Sequence, residues 1–332
     1  MELTAERLKE LQSLPLDRKI GFTAARIAEW YNHYNGNVHV SFSGGKDSTV
    51  LLYIARKLFP DIRAMFVDTG LEYPEIRDFV KSFDNVDIVK PEKSFLQVIK
   101  EYGYPVISKE IAHYVFYARR GNGWSAAALG LIDDFVTRKG NHMALRRGGR
   151  YDASRWKFLV DAPYNISDQC CNVMKKKPAK KYAKKNKSFP MLATMTEESQ
   201  LRQKTWMQHG CNAFDAKEPK STPLAFWTEQ DILSYIKTMN LPIASVYGDI
   251  VETPDGKLKT TGCDRTGCMF CMFGVHLEKY PNRFQKMFYT HPKQWDYCIN
   301  RLGLKQVLDY INVPYEPKED DQLLLFDEKE LC

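Results

Sequence analysis

The stretch Ser41-Phe-Ser-Gly-Gly-Lys-Asp-Ser-Thr-Val50 constrains the fold more than any other part of the chain. Just upstream, Asn37-Val-His-Val40 is a short apolar run that reads as a buried strand. Just downstream, Leu51-Leu-Tyr-Ile-Ala-Arg-Lys57 carries apolar residues at helical period. The stretch is therefore a strand–loop–helix junction rich in glycine and hydroxyl side chains. Such a loop turns backbone N–H groups toward a helix N-terminus, an arrangement that binds phosphate. Gly44 and Gly45 let the backbone approach an anion closely. Lys46 adds a positive charge, Asp47 an acid, and Ser43, Ser48 and Thr49 add hydroxyl donors. The Gly-x4-Gly-Lys-[Ser/Thr] spacing of a Walker A loop is absent.

The rest of the chain continues the alternation. Residues 3–34 read as two amphipathic helices ahead of the first strand. Ile62-Arg-Ala-Met-Phe-Val-Asp68 reads as a second strand, followed by a helix from about Glu75 to Ser82 and a short strand, Val86-Asp-Ile-Val-Lys90. Alternating strands and helices predict an α/β fold, a parallel twisted sheet with helices on both faces. In such sheets ligands lie at the carboxyl ends of the strands, where Ser43 and Asp68-Thr69-Gly70 both fall. Residues 94–140 read as helices, and Phe189-Pro-Met-Leu-Ala-Thr-Met195 as a late strand. Arg146-Arg-Gly-Gly-Arg150 reads as a basic loop over an anionic ligand or as a solvated connector. Pro281, Pro292 and Leu304 open three further helices. The expected organisation is N-terminal helices over 1–35, a nucleotide-binding α/β domain over 36–250, a cysteine-rich helical region over 251–315 and an acidic tail over 316–332.

No apolar run approaches the ~20 residues that cross a bilayer, and the N-terminus is a charged helical pattern, not a secretion signal. The expected location is the cytoplasm, where the eight cysteines would be reduced and available for metal or redox chemistry. Cys170 and Cys171 are adjacent, and Cys268 and Cys271 form a Cys-x-x-Cys pair with Cys263 close by. Four thiolates satisfy an iron–sulfur cluster or a structural zinc ion alike. Eight lysines between Lys175 and Lys187 follow the double cysteine. Beside it they read as anion-facing, with Lys175, Lys176 and Lys177 first, although an exposed helix face is the usual meaning of such a run. The formal net charge of +7 agrees with an anionic partner without requiring one.

Ser43-Gly-Gly-Lys-Asp-Ser48 resembles the Ser-Gly-Gly-x-Asp-Ser loop of the PP-loop ATP pyrophosphatases, the superfamily that includes the phosphoadenosine phosphosulfate (PAPS) reductases. Asp68-Thr69-Gly70 resembles the second nucleotide-site motif of that family, in which the acid faces ribose, adenine or metal. Thr196-Glu-Glu-Ser-Gln-Leu-Arg202 resembles its Glu-Ser-x-x-Arg signature, with Glu198, Ser199 and Arg202 facing phosphate or sulfate. The arginines that usually precede this signature are missing. The order Pro223-Leu224, Trp227, Asp231-Ile232, Tyr235, Leu241-Pro242, Tyr247 also matches, so the resemblance covers roughly residues 35–275. A double cysteine with a distant Cys-x-x-Cys is similar to the [4Fe–4S] ligand pattern of adenylylsulfate (APS) reductases. That implies a cluster on Cys170, Cys171, Cys268 and Cys271, with Cys263 as a substitute for Cys170. Glu330-Leu-Cys332 loosely resembles the family's catalytic C-terminal Glu-Cys-Gly, making Cys332 a candidate nucleophile. Gln322-Leu-Leu-Leu-Phe326 resembles the peptide by which bacterial proteins dock on the DNA sliding clamp.

The resemblance implies an adenine-nucleotide enzyme with a Rossmann-like fold. Lys46 fits the ATP-using members: with Mg²⁺ and catalytic Lys46 and Asp47, an acceptor oxygen displaces pyrophosphate from ATP, and sulfur then replaces the adenylylated oxygen. That reading implies a sulfur donor such as a cysteine desulfurase, a nucleic-acid acceptor, and a chain that works alone or as a homodimer. The alternatives are a sulfonucleotide reductase that releases sulfite, and a non-enzymatic nucleotide-binding adaptor.

Overall fold

A computed structural model describes residues 3–133, 136, 148 and 152–318. Cys332, Gln322–Phe326 and all of the Arg146–Arg150 segment except Gly148 lie outside the described residues. Two compact units divide the chain: the first holds Met1–Glu92 and Lys175–Cys268, the second Lys93–Met174 and Met269–Cys332. This grouping cuts across the linear partition expected at residues 35/36 and 250/251. The physical reason is strand pairing: the sheet of the first unit is completed by strands that return after residue 188, while residues 93–174 share strand pairing and packing with the segment after residue 268.

In the first unit, helices α1 (Ala5–Gln12) and α2 (Leu16–His33) precede strand β1 (Val38–Ser41), which leads into α3 (Lys46–Leu58). Then come β2 (Arg63–Val67), α4 (Pro74–Lys81) and β3 (Val86–Val89). The sheet has six strands in the order β3, β2, β1, Phe189–Met191, Lys220–Ser221, Asn212–Ala213, parallel throughout except for the last pair. β1 pairs Val40 with Ala64 of β2 on one side and with Met191 on the other. The chain therefore leaves β1 toward one edge and later returns on the opposite side. The loop after β1 stands at that change of direction, the place where open α/β sheets bind ligands.

Burial explains the strand and helix pattern. Val38, Val40, Ala64 and Met65 are buried, as a parallel sheet covered on both faces requires. α3 buries Val50, Leu51, Leu52, Ile54 and Ala55 against it. Trp30 and Trp227 are fully buried in the same core, and the Trp227 indole N–H donates to Thr23 Oγ1 at 2.9 Å, so its polar edge is satisfied. Helix Glu229–Met239 starts at a capping box: Thr228 Oγ1 accepts from the Asp231 N–H, and the Asp231 side chain accepts from the Thr228 N–H. Asp231 also pairs with the buried Lys19 ammonium at 2.6 Å, fastening α2 to this helix.

The second unit contains helices Phe95–Glu101, Lys109–Ala118 and Gly123–Ala128, then Arg283–Thr290, Pro292–Asp296 and Leu304–Tyr310. Residues 94–140 were expected to be helical, but Val106–Ile107 forms a strand parallel to Met272–Phe273. Two residues are too few to show a strand period, and their partner lies far along the chain. The turn before this strand needs glycine: at Gly103, φ is +106° and a Cβ would meet the Asn165 carbonyl carbon at 2.2 Å. Arg119 binds the 153–164 segment to this unit, donating to the carbonyls of Val160, Tyr164, Leu159 and Ala162.

Candidate nucleotide site

The loop after β1 is built by its own hydroxyls. Ser48 Oγ accepts from the Ser43 backbone N–H at 3.1 Å, lies 3.0 Å from Ser43 Oγ, and donates to the Gly45 carbonyl at 2.9 Å. Thr49 Oγ1 donates to the same carbonyl at 3.0 Å. These bonds stiffen the turn, so Ser48 and Thr49 shape the loop from beneath, while Ser43 is exposed. Gly44 has φ +72°, and a Cβ there would stand 2.8 Å from methyl carbons of Ile76 and Val80 on α4. Gly45 is the N-cap of α3 and provides no side-chain cap, which leaves the positive end of the helix dipole facing the loop.

Lys46, the first residue of α3, is only 5% exposed. Its Nζ lies 3.2 Å from Glu229 Oε1 and 5.2 Å from the centre of the Tyr247 ring. The Tyr247 hydroxyl takes a backbone hydrogen bond from Lys46 and lies 2.5 Å from Thr266 Oγ1; burial pushes this phenol up to about 12, so it stays neutral. Burial raises the Asp47 carboxyl, opposed by Lys46, Arg265 and Arg202 and assisted by Glu229. Charges of both signs thus lie near the start of α3.

The Glu-Ser-x-x-Arg segment lies beyond the carboxyl end of Phe189–Met191. Ser199 caps helix Gln200–His209 by accepting from the Arg202 N–H. Glu198 is ion-paired with Arg202 and with Arg265, the latter at 3.1 Å. Burial lowers the Arg202 guanidinium, and the Arg265 charge beside it lowers it further, while Asp47 opposes the shift. Arg265 comes from the segment between Cys263 and Cys268, so the cysteine-bearing stretch supplies a cation where the usual preceding arginines are missing.

Asp68 lies at the carboxyl end of β2, as expected, and is 8% exposed. Its Oδ1 accepts from the Gly70 N–H at 3.1 Å and its Oδ2 pairs with Arg77 at 3.0 Å. Thr69 is held by Glu72, which also reaches Lys175 at 3.5 Å. In the lysine run, Lys180 and Lys181 pair with Glu218 and Glu92, while Lys176, Lys177, Lys184, Lys185 and Lys187 are exposed.

Sequence reasoning passed over Glu229, Arg265 and Thr266 as site residues. Tyr247 had only its place in a motif order, with no role. Each reaches the loop through tertiary contact, and only the glycine-rich punctuation of Thr260–Gly274 signalled a shaped segment. Gly262 shows why: a Cβ there would be 2.4 Å from the Val246 carbonyl, and the Gly262 N–H donates to the Tyr247 carbonyl at 2.9 Å. Cys263 continues this pairing by donating its N–H to Val246.

Of the expected ligands, Cys263 and Cys268 belong to the first unit and Cys170, Cys171 and Cys271 to the second. Cys170 is buried and the other four are half-buried. The Cys271 carbonyl accepts from Arg283 at 2.9 Å. Thiol chemistry suits iron or zinc. As arranged, however, the described residues contain no group of three or more His, Cys, Asp or Glu side chains that could hold a metal ion. Cys211 and Cys298 are of another kind: burial pushes their thiols up to about 11 and about 12.

A family model described as the phosphoadenosine phosphosulfate reductase domain matches residues 37–110 and 137–273. This chain belongs to that family. The family lies within the PP-loop superfamily, in keeping with the mostly parallel sheet and the loop after β1. An adenosine 5'-phosphosulfate reductase of Staphylococcus haemolyticus is 24% identical over 225 residues, 68% of this chain and 71% of that protein. One from Staphylococcus epidermidis is 24% identical over 220 residues, 66% of this chain and 69% of that protein. An uncharacterised protein of Methanocaldococcus jannaschii is 35% identical over 94 residues, 27% of this chain but only 23% of that protein's length. Among the described residues of this PAPS reductase family member, no helix is long and apolar enough to cross a membrane.

Proposed function

We propose that the chain is an enzyme that binds an adenine nucleotide with its phosphates on the loop Ser43–Thr49, and that the nucleotide is ATP. The observation that carries this is the Lys46 ammonium, 5% exposed and held at the uncapped N-terminus of α3. A buried cation at a helix N-terminus stabilises phosphate charge, and most strongly the charge that grows on a departing pyrophosphate. Asp68, Thr69 and Gly70 at the end of β2, and Glu198, Ser199 and Arg202 beyond Phe189–Met191, would line the nucleotide further. An acceptor oxygen attacks the α-phosphorus, the bond to the bridging oxygen breaks, and pyrophosphate leaves; a sulfur donor then displaces AMP from the acceptor. Mg²⁺ bound to the phosphates would share the leaving-group charge with Lys46. The exposed lysines of the 175–187 run suit a nucleic-acid acceptor, whose phosphates they would offset. Asp47, with its raised carboxyl, is placed to take a proton.

The [4Fe–4S] cluster remains a proposal on donor chemistry, with Cys170, Cys171, Cys268 and Cys271 as ligands and Cys263 as the alternative. No step above runs through it. Iron and sulfide analysis of anaerobically purified protein, with its visible spectrum, tests the proposal: about four irons and four sulfides per chain are expected, and neither would be found if the thiols are unmetallated.

The adenosine 5'-phosphosulfate reductases at 24% identity favour a second reading, reduction of a sulfonucleotide. A cysteine thiolate would attack the sulfonyl sulfur, releasing the nucleotide and forming a thiosulfonate, and a dithiol reductant would then free sulfite. One experiment separates the two. Anaerobic protein is incubated with ATP, nucleic acid and a sulfide donor, and separately with APS or PAPS and a dithiol reductant. Pyrophosphate with AMP supports the first reading, sulfite supports the second, and neither product from any nucleotide removes both.

A further inference from the structure

Glu229 stands out because it has no place in the motifs, yet it meets the most buried charge of the site. Lys46 is 5% exposed and Glu229 is 42% exposed, and 3.2 Å separates Nζ from Oε1. An ammonium withdrawn this far from water needs a counter-charge. Among the described residues, Glu229 is the carboxylate that bonds it. The face of the Tyr247 ring, 5.2 Å from Nζ, adds attraction, and the neighbouring Asp47 carboxyl feels the Lys46 charge without a hydrogen bond to it.

The two partners differ in freedom. Lys46 is fixed by α3 and by burial. Glu229 has a fixed backbone: it opens helix Glu229–Met239 behind the Thr228–Asp231 capping box, and its N–H donates to Glu197 Oε2 at 2.8 Å. Its side chain, by contrast, is nearly half in solvent. Turning it outward returns a carboxylate to water at little cost, whereas Lys46 cannot follow. A phosphate arriving at Lys46 would meet the Glu229 carboxylate as a like charge competing for the same donor. Asp47, one residue on, feels the same negative charge.

We propose that Glu229 is the resident counter-anion of Lys46: it holds the ammonium in the ligand-free protein and yields it to a nucleotide phosphate, so that it sets how tightly the loop binds anions. The inference rests on the nucleotide reading of the loop. It makes Glu229 a positioning residue that opposes binding, the reverse of what a phosphate-site or magnesium ligand would do.

Binding of ATP, AMP and pyrophosphate is measured by calorimetry on the full chain, on Glu229→Gln, on Lys46→Met and on the double variant. Glu229→Gln keeps the shape and removes the charge. It is expected to tighten pyrophosphate and ATP about 2- to 5-fold, the scale of a half-exposed ion pair, and AMP less. The gain should vanish in the Lys46→Met background, as a pairwise effect requires. Unchanged or weaker binding by a folded Glu229→Gln overturns the proposal, and so does a gain that survives Lys46→Met. If Glu229→Gln fails to fold, Glu229→Asp, one methylene too short to reach Nζ, is read by the same criteria. Should the unaltered protein bind none of the three anions, the nucleotide reading falls and takes this inference with it. Binding by the unaltered protein with no change in Glu229→Gln removes the inference alone.

Discussion

The Tyr247 hydroxyl lies 2.5 Å from Thr266 Oγ1 and takes a backbone hydrogen bond from Lys46. One phenol thus joins the first turn of α3 to the cysteine-bearing segment, from a residue only 2% exposed. Tyr247→Phe leaves both partners without it. The expected cost is about 1–2 kcal/mol, the penalty for an orphaned buried polar group, and a fall of about 2–4 °C in apparent Tm per kcal/mol. The looser segment should also alkylate faster at Cys263 and Cys268, read by mass spectrometry after an iodoacetamide pulse. A variant with unchanged melting and unchanged labelling would show that the hydroxyl holds nothing.

Lys46 gives a test in which stability and binding part company. Lys46→Met keeps most of the side-chain volume, removes the charge and frees the exposed Glu229 carboxylate to water. Replacing one member of a poorly solvated pair by an apolar group leaves stability within about 1 kcal/mol when the other member can reach solvent. ATP binding should nevertheless weaken about 10- to 100-fold, the loss of a charge-assisted hydrogen bond to phosphate. Thermal melting and equilibrium binding on the same preparation check the pair of outcomes.

The loop glycines separate close packing from backbone conformation. Gly44 and Gly70 have nearly the same φ, +72° and +74°. At Gly44 an added methyl group meets Ile76 and Val80 carbons at 2.8 Å and the Ile76 carbonyl at 3.3 Å, whereas at Gly70 nothing lies within 4 Å. Gly70→Ala should therefore cost about 1 kcal/mol of left-handed strain. Gly44→Ala should cost about 2–4 kcal/mol, the same strain plus overpacking, and should displace the loop that carries Ser43. Urea titration of the two variants measures the difference, and equal midpoints would contradict it.

What could be read from the sequence divides along chain distance. The junction at Ser41–Val50 and the strand–helix alternation through Val89 are local patterns, and both formed where their residues said they would. Asp68 was legible as the end of a strand, but its pairing with Arg77 was not, because a carboxylate in a turn carries no mark of the partner it will take. Glu229 and Arg265 belong to the loop's surroundings only because the chain after residue 188 returns on the far side of β1. No periodicity near either residue reports that. The same holds for Val106–Ile107, whose partner strand begins at Met272.

His39 sits in the middle of β1, 1% exposed, with Nδ1 at 2.8 Å from Ser188 Oγ and its ring edge-on to Tyr182. Burial lowers its pKa from 6.5 to about 4, against a smaller opposing pull from Asp87. The folded protein therefore keeps this ring neutral where the unfolded chain protonates it. With the folded value below the unfolded one, its contribution to stability is fully present above about pH 6.5. It is lost as the pH falls toward 4, and below that it changes no further. A difference of this size corresponds to about 3 kcal/mol across the window, an order-of-magnitude figure. Unfolding free energies from denaturant titrations at pH 7, 6, 5 and 4 should fall along this course in the unaltered protein. In His39→Gln, which keeps a hydrogen-bonding side chain but cannot titrate, the slope between pH 6.5 and 4 should be shallower. An identical slope in both proteins would mean that some other group carries the acid sensitivity of the sheet.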